Sequence, residues 1–133
     1  MKISKSQLLK VVDMQIQSAL WECCHPTFVE EILNNEYYKN LIDEVFLDAI
    51  AFCNKDPASK KHILSILQSY TSFKAVIHYR ISNFIYRNLE SREKEFFALF
   101  ISNRGKLLSG ADIHFVNTPN LKQHQSRNIK PPV

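Results

Sequence analysis

Residues 73–82 read FKAVIHYRIS and begin the segment around which the rest of the chain is predicted to fold. From Phe73 to about Asn88, apolar residues return every three or four positions and cover more than one side of a helix. A stripe of this width is expected of a helix that is buried on several sides. The pattern therefore predicts a central helix. Its apolar positions are Phe73, Val76, Ile77, Ile81, Phe84 and Ile85.

Two capping-box patterns near the N-terminus predict where the first two helices begin. The spacing S-x-x-Q at residues 4–7 precedes an apolar periodicity that runs to Cys23, and Pro26 is expected to end this first helix. The spacing T-x-x-E at residues 27–30 predicts the start of a short second helix that ends near residue 35.

Three further helices complete the prediction. The clearest periodicity runs from Tyr38 to Cys53, Asp56-Pro57 is a typical helix start, and Ser91 can cap a last helix. No segment alternates like a β-strand, and two glycines leave little material for hairpin turns. The sequence thus predicts an all-α bundle of about six helices.

The C-terminal residues differ in composition from the rest. Residues 115–133 are polar and rich in proline and are predicted to form a disordered basic tail after a helical domain of residues 1–114. Of the 17 basic residues, three lie in the tail, so 14 basic residues face 13 acidic ones in the domain. Because the domain is nearly neutral and has no clustered basic face, the charge pattern does not favour a nucleic-acid partner.

No apolar run approaches the roughly 20 residues of a membrane span, and the N-terminus lacks the apolar core of a signal peptide. A cytoplasmic location without membrane association is therefore expected. Cys23, Cys24 and Cys53 are expected to be reduced thiols, because they are odd in number and lie in predicted helices.

Four short motifs occur in a distinctive order: Asp56-Pro57-Ala58, Phe73-Lys74-Ala75, Tyr79-Arg80-Ile81 and Asp112-Ile113-His114. Over about residues 36–114 their order and spacing resemble the N-terminal helical domain of the serine acetyltransferases. That family transfers an acetyl group from acetyl-CoA to L-serine in cysteine biosynthesis. The resemblance implies a helical domain that assembles with other copies of itself.

In that family, Asp-Ile-His leads into a left-handed parallel β-helix of hexapeptide repeats. The β-helix holds the general-base histidine, the acetyl-CoA cleft and the groups that bind the substrate carboxylate. Steps of six from Ile113 give Pro119, Gln125 and Pro131, which is not a repeat of apolar residues. The chain is therefore expected to hold no catalytic residue, to bind no cofactor or metal, and to be inactive alone.

By resemblance, Asp56 is the one substrate-binding residue, matching an aspartate that binds the amino group of serine. A carboxylate suits an ammonium group because the hydrogen bond is charge-assisted. The alternative role for Asp56 is that of an N-cap, worth about 1 kcal/mol.

Two functional hypotheses follow from the resemblance. The first is a truncated serine acetyltransferase that retains the helical oligomerisation domain. The alternative is a stand-alone module that pairs with a full-length serine acetyltransferase and regulates it. The wide apolar stripes of the third and fifth helices are the expected partner surface, and the expected partner is another copy of this chain or a full-length serine acetyltransferase. Nucleic-acid binding through the tail ranks last.

Other polar residues have structural interpretations beside functional ones. Cys23, Cys24 and His25 lack the usual two-residue spacing of a metal site, so packing at a helix end is favoured. A guanidinium at Arg80, in the middle of an apolar helix, requires a partner, and Asp48 or Glu44 is expected to supply it.

A further functional interpretation is a Cys–His pair for nucleophilic catalysis. His62, His78 and His114 could in principle serve Cys53, but nothing in the sequence brings them together.

Overall fold

The computed structural model describes residues 3–55, 62–69, 71–90 and 92–109. These residues form six α-helices and contain no β-strand, which confirms the predicted all-α fold. The helices are α1 (Lys5–Cys23), α2 (Pro26–Leu33), α3 (Tyr38–Lys55), α4 (Ile63–Ser69), α5 (Thr71–Asn88) and α6 (Lys94–Ser109). The predicted tail at residues 115–133, the Asp56-Pro57 helix start and the Ser91 cap lie outside the described residues.

The capping box predicted for α1 is present. The Ser4 hydroxyl accepts a hydrogen bond from the Gln7 backbone N–H at 3.2 Å, and the Gln7 side chain accepts one from the Ser4 N–H at 2.9 Å. These two bonds satisfy donors that the first turn of a helix otherwise leaves without partners. The predicted end at Cys23 is confirmed.

The predicted start of α2 is wrong by two residues, since the N-cap is His25 rather than Thr27. Pro26 is the first residue of α2 rather than a spacer before it, and His25 is the N-cap. The His25 Nδ1 atom accepts a hydrogen bond from the Thr27 backbone N–H at 3.1 Å. Proline is favoured at this first position because the donor it lacks would have no helical partner there.

The predicted central position of α5 is confirmed, because this helix contacts α1, α3, α4 and α6. Most of its apolar side chains join those of the other helices in the main hydrophobic core, while Ala75 and Tyr79 form a smaller cluster. The fully buried members include Ile16, Leu20, Leu41, Ile66, Phe73, Ile77, Ile81, Ile85 and Ile101. The apolar stripe of α5 is therefore buried within the domain, and a partner surface on this helix stays a prediction.

Small residues allow α5 and α6 to pack closely against each other. The Ser82 hydroxyl donates a hydrogen bond to the Ala98 carbonyl oxygen at 2.7 Å, and both residues are buried. Near the other end of the contact, a Cβ atom at Gly105 would lie only 2.7 Å from the Cβ of His78. Glycine is therefore the residue that lets the two helix backbones approach at this point.

α1 is joined to three other helices by one polar contact each. Each contact links side chains that are far apart in sequence, so together they hold α1 across the rest of the bundle. They are Tyr38 Oη donating to Asp13 (α3), Lys74 Nζ donating to Gln15 (α5), and Arg104 donating to Glu22 (α6).

None of the helices described has the combination of length and apolar character needed to cross a membrane.

Candidate functional site

The sequence-predicted site residue, Asp56, lies outside the described residues, as does the Asp112-Ile113-His114 motif. The two motifs that the structure does describe both lie on α5. Phe73, Tyr79 and Ile81 are buried there, with Phe73 and Ile81 fully inaccessible. These motif residues therefore act as core residues of the domain.

Arg80 is a charged motif residue on α5 that forms an ion pair. Its Nε atom donates to Asp48 Oδ2 at 2.6 Å and its Nη2 atom donates to Asp48 Oδ1 at 3.0 Å, a bidentate ion pair between α5 and α3. Of the two predicted partners, Asp48 is thus the one that binds. Burial acts to lower the pKa of Arg80, but the Asp48 bonds and the nearby Glu44 outweigh it and raise that pKa. The guanidinium is therefore fully charged and serves to hold two helices together.

A small polar pocket lies beside this ion pair. Its volume is about 120 Å³, and its lining includes Tyr37, Glu44, Arg80, Asn83 and Arg87. Ligand sites for cofactor-sized molecules usually measure roughly 300–1,000 Å³. The pocket is thus of a size for water molecules or a very small ligand, and too small for acetyl-CoA.

One face of α6 exposes large apolar side chains. Phe96 is 65% exposed, Phe100 48% and Leu107 75%, and the rings of Phe96 and Phe100 stack with centroids 6.1 Å apart. We call Phe96, Phe100 and Leu107 the α6 aromatic face. Spacings of four and seven residues place all three on one side of the helix. The α6 aromatic face is thus exposed, whereas most apolar residues in the stripes of α3 and α5 are buried.

The three cysteines are buried and form no disulfide, as predicted. Cys53 is buried whereas His62 is exposed, and His114 lies outside the described residues. The structure therefore gives no support to a catalytic pair built on Cys53.

Cys23 lies near His78 of α5. Its Sγ atom lies in a group with a Glu22 carboxylate oxygen and a His78 ring nitrogen, with all three atoms within 4.8 Å of one another. Cys24 and His25, the adjacent residues considered from the sequence, do not belong to the group. Sequence reasoning missed this cluster because His78 is on α5, far along the chain from α1, and its position among apolar residues resembles an ordinary core position.

The protonation states in this cluster follow from burial. Burial lowers the pKa of His78, although its bond to the Lys74 carbonyl partly offsets the effect. Burial, and then the charge of Glu22, raise the pKa of the Cys23 thiol. At neutral pH the pair is therefore a neutral imidazole beside a neutral thiol, which is not the thiolate–imidazolium pair of a cysteine nucleophile.

No protein-family model, curated protein or solved structure matches the chain.

Proposed function

We propose that this chain is a helical assembly domain of the serine acetyltransferase type. The family reaction is transfer of an acetyl group from acetyl-CoA to L-serine, and in this proposal the chain contributes assembly rather than chemistry. The proposal rests on the four ordered motifs. It is supported by the positions of the two described ones, since Phe73, Tyr79 and Ile81 are buried and Arg80 joins α5 to α3.

The observation that carries the assembly role is the α6 aromatic face. Burying an aromatic side chain removes about 150–250 Å² of surface from water, so two adjacent exposed phenylalanines are costly to leave in solvent. The spacing of Phe96, Phe100, Asn103 and Leu107 is four, three and four residues, which is the heptad spacing of helices that pair along a seam.

A second copy of this chain is the partner that we propose for the face. Heptad stripes pair with stripes of the same spacing, and a two-fold arrangement of two α6 helices brings identical faces together. In this proposal Asp56 and the groups that bind acetyl-CoA act together only in a larger assembly that includes a β-helix. Asp56 would then bind the amino group of serine by a charge-assisted hydrogen bond.

The assembly prediction concerns Phe100. In analytical ultracentrifugation we expect the wild-type chain to sediment as an oligomer, and Phe100→Glu to sediment at the 15.5 kDa mass of one chain. The charged side chain would have to be buried without a partner in the seam, which is strongly unfavourable. Circular dichroism should show unchanged helix content, because Phe100 is 48% exposed.

Leu47 provides the matched control, since it is 62% exposed on α3, away from the α6 aromatic face. Leu47→Glu should leave the oligomer intact. A monomeric wild-type chain, or an oligomer that survives Phe100→Glu, would contradict the proposed seam.

The chemical part of the proposal is tested by serine-dependent release of free thiol from acetyl-CoA. We expect no turnover from the purified chain and normal turnover from a full-length serine acetyltransferase. Turnover that is abolished by Asp56→Ala would show a catalytic site in this chain and overturn the proposal. Co-elution with the full-length enzyme, together with a changed rate, would favour the regulatory-module hypothesis over self-assembly.

A further inference from the structure

The strongest unassigned feature of the domain is the meeting point of α1 and α5. Glu22 and Cys23 are the last two residues of α1, and His78 reaches them from the middle of α5. A carboxylate oxygen, a sulfur and an imidazole nitrogen within 4.8 Å of one another are three ligand types that zinc binds in proteins.

His78 supplies the observation that points to a ligand. Its side chain belongs to a residue only 4% exposed, and its Nδ1 atom lies 2.7 Å from the Lys74 carbonyl oxygen. A carbonyl only accepts, so Nδ1 carries the proton and Nε2 has a free lone pair. Within the described part of the chain, this buried Nε2 atom has no hydrogen-bond partner. A buried polar atom without a partner is costly, and native structures seldom keep one without a reason.

The same arrangement is that of a metal-binding histidine. Such histidines usually donate from one ring nitrogen to a carbonyl or carboxylate and bind the metal through the other. The Lys74 carbonyl fixes the tautomer and the ring orientation of His78.

We propose that Glu22, Cys23 and His78 form a binding site for a divalent zinc ion, with water as the fourth ligand. Tetrahedral zinc with bonds of about 2.0–2.3 Å needs ligand atoms about 3.6 Å apart, so the cluster closes by on the order of 1 Å when the ion binds. Glu22 can supply this movement because its side chain is about half exposed. A pocket of about 160 Å³ is lined by Glu22 and His78 among others, so it borders two of the three proposed ligands.

The charges around the site are mixed. Arg104 donates to Glu22 Oε2, and a carboxylate that is held in this way can still bind a metal through its other oxygen. Lys74 is a second nearby cation, and its Nζ atom donates to Gln15. Opposing these cations, the C-terminal end of α1 carries a partial negative charge, and its last turn contains no basic residue.

Zinc is the ion that the ligands favour. Sulfur and imidazole ligands select against Mg²⁺ and Ca²⁺, which require oxygen ligands. The Cys23 Sγ–H bond breaks as the Sγ–Zn bond forms, and the proton is released to solvent. One proton is therefore released for each ion that binds through a thiol, and the affinity for Zn²⁺ should rise with pH.

The test uses the full chain, freed of metal and titrated with Co²⁺, with Zn²⁺ added afterwards as the competitor. We expect one Co²⁺ per chain with a thiolate-to-cobalt charge-transfer absorption that disappears when Zn²⁺ displaces it. Cys23→Ser should abolish this absorption and weaken Zn²⁺ binding by about 100-fold or more, since even loss of a group behind a ligand costs 10–100-fold. The thermal midpoint of the wild type should rise with Zn²⁺ concentration, because the ion binds the folded state.

Neighbouring residues supply matched controls. Cys24→Ser changes a buried cysteine one position along, and His25→Asn changes a histidine outside the cluster, so both should retain wild-type binding. Glu22→Gln keeps an amide oxygen that can accept from Arg104, and it should weaken Zn²⁺ binding by about tenfold or more, since the amide lacks the carboxylate charge. Absence of the charge-transfer absorption, its loss in Cys24→Ser, or wild-type affinity in Glu22→Gln would overturn the three-ligand site.

Discussion

Replacing Gly105 by valine is expected to lower the free energy of unfolding by about 3 kcal/mol, the upper range for overpacking a well-packed core. A Cβ atom at this position would lie 2.7 Å from His78 Cβ and 3.5 Å from the Ala75 carbonyl oxygen. His78 Cβ is attached directly to the α5 backbone, so it cannot move away as the end of a flexible side chain can. The helices must separate, and the Ser82–Ala98 hydrogen bond near the other end of the contact would then be strained. Urea denaturation with the unfolding free energy extrapolated to water measures the effect.

Lys106→Val is the matched control, because it introduces the same side chain at an exposed position on the same helix, outside the proposed seam. We expect a change within about 0.5 kcal/mol, as for most surface substitutions. Gly105→Ala should lie between the two, since alanine regains up to about 1 kcal/mol of helix propensity. Equal stability of Gly105→Val and the wild type would show that the close approach of α5 and α6 contributes nothing.

Arg80→Met is expected to destabilise the domain by about 2 kcal/mol. Removing one partner of a fully buried ion pair costs about 3–5 kcal/mol, and here the side chains of Arg80 and Asp48 retain 25% and 23% exposure, so solvent reduces the loss. Methionine preserves most of the apolar volume of the arginine stem. The loss of stability therefore comes mainly from the Asp48 carboxylate, which is left without its two donors. Thermal or urea unfolding measures this loss.

Arg87→Met is the matched control, because Arg87 is an exposed arginine in the last turn of α5. This substitution should change the free energy of unfolding by about 0.5 kcal/mol or less. The double variant Arg80→Met with Asp48→Leu should recover part of the loss, because apolar replacements of a whole buried pair are often tolerated. If Arg80→Met and Arg87→Met cost the same, the ion pair would have no special structural role.

Local patterns were sufficient to predict most of the fold. The capping box of α1 and the apolar periodicity of α3 and α5 gave helices close to the observed ones, because helix formation depends on neighbours three and four residues away. The need to pair a guanidinium among apolar residues led correctly to an ion pair for Arg80. The start of α2 was misplaced because Pro26 is compatible both with ending one helix and with beginning the next.

The candidate sites were less predictable. Cys23 and His78 come together only because α1 crosses α5, and no local pattern contains that crossing. Gly105 likewise resembles a helix-breaking glycine in sequence, and only the position of His78 explains it. Exposure of Phe96 could not be separated from burial of its neighbour Phe97 without knowing which side of α6 faces the core.

The placement of α1 has a consequence for how the chain folds. α5 and α6 are consecutive in sequence, so their contact closes a short loop, whereas α1 reaches α5 and α6 through pairs 59 and 82 residues apart. Closing longer loops costs more chain entropy and slows folding. We expect the α5–α6 hairpin to form early and α1 to dock late. Substitutions at the α1 contacts should therefore accelerate unfolding while leaving the folding rate almost unchanged.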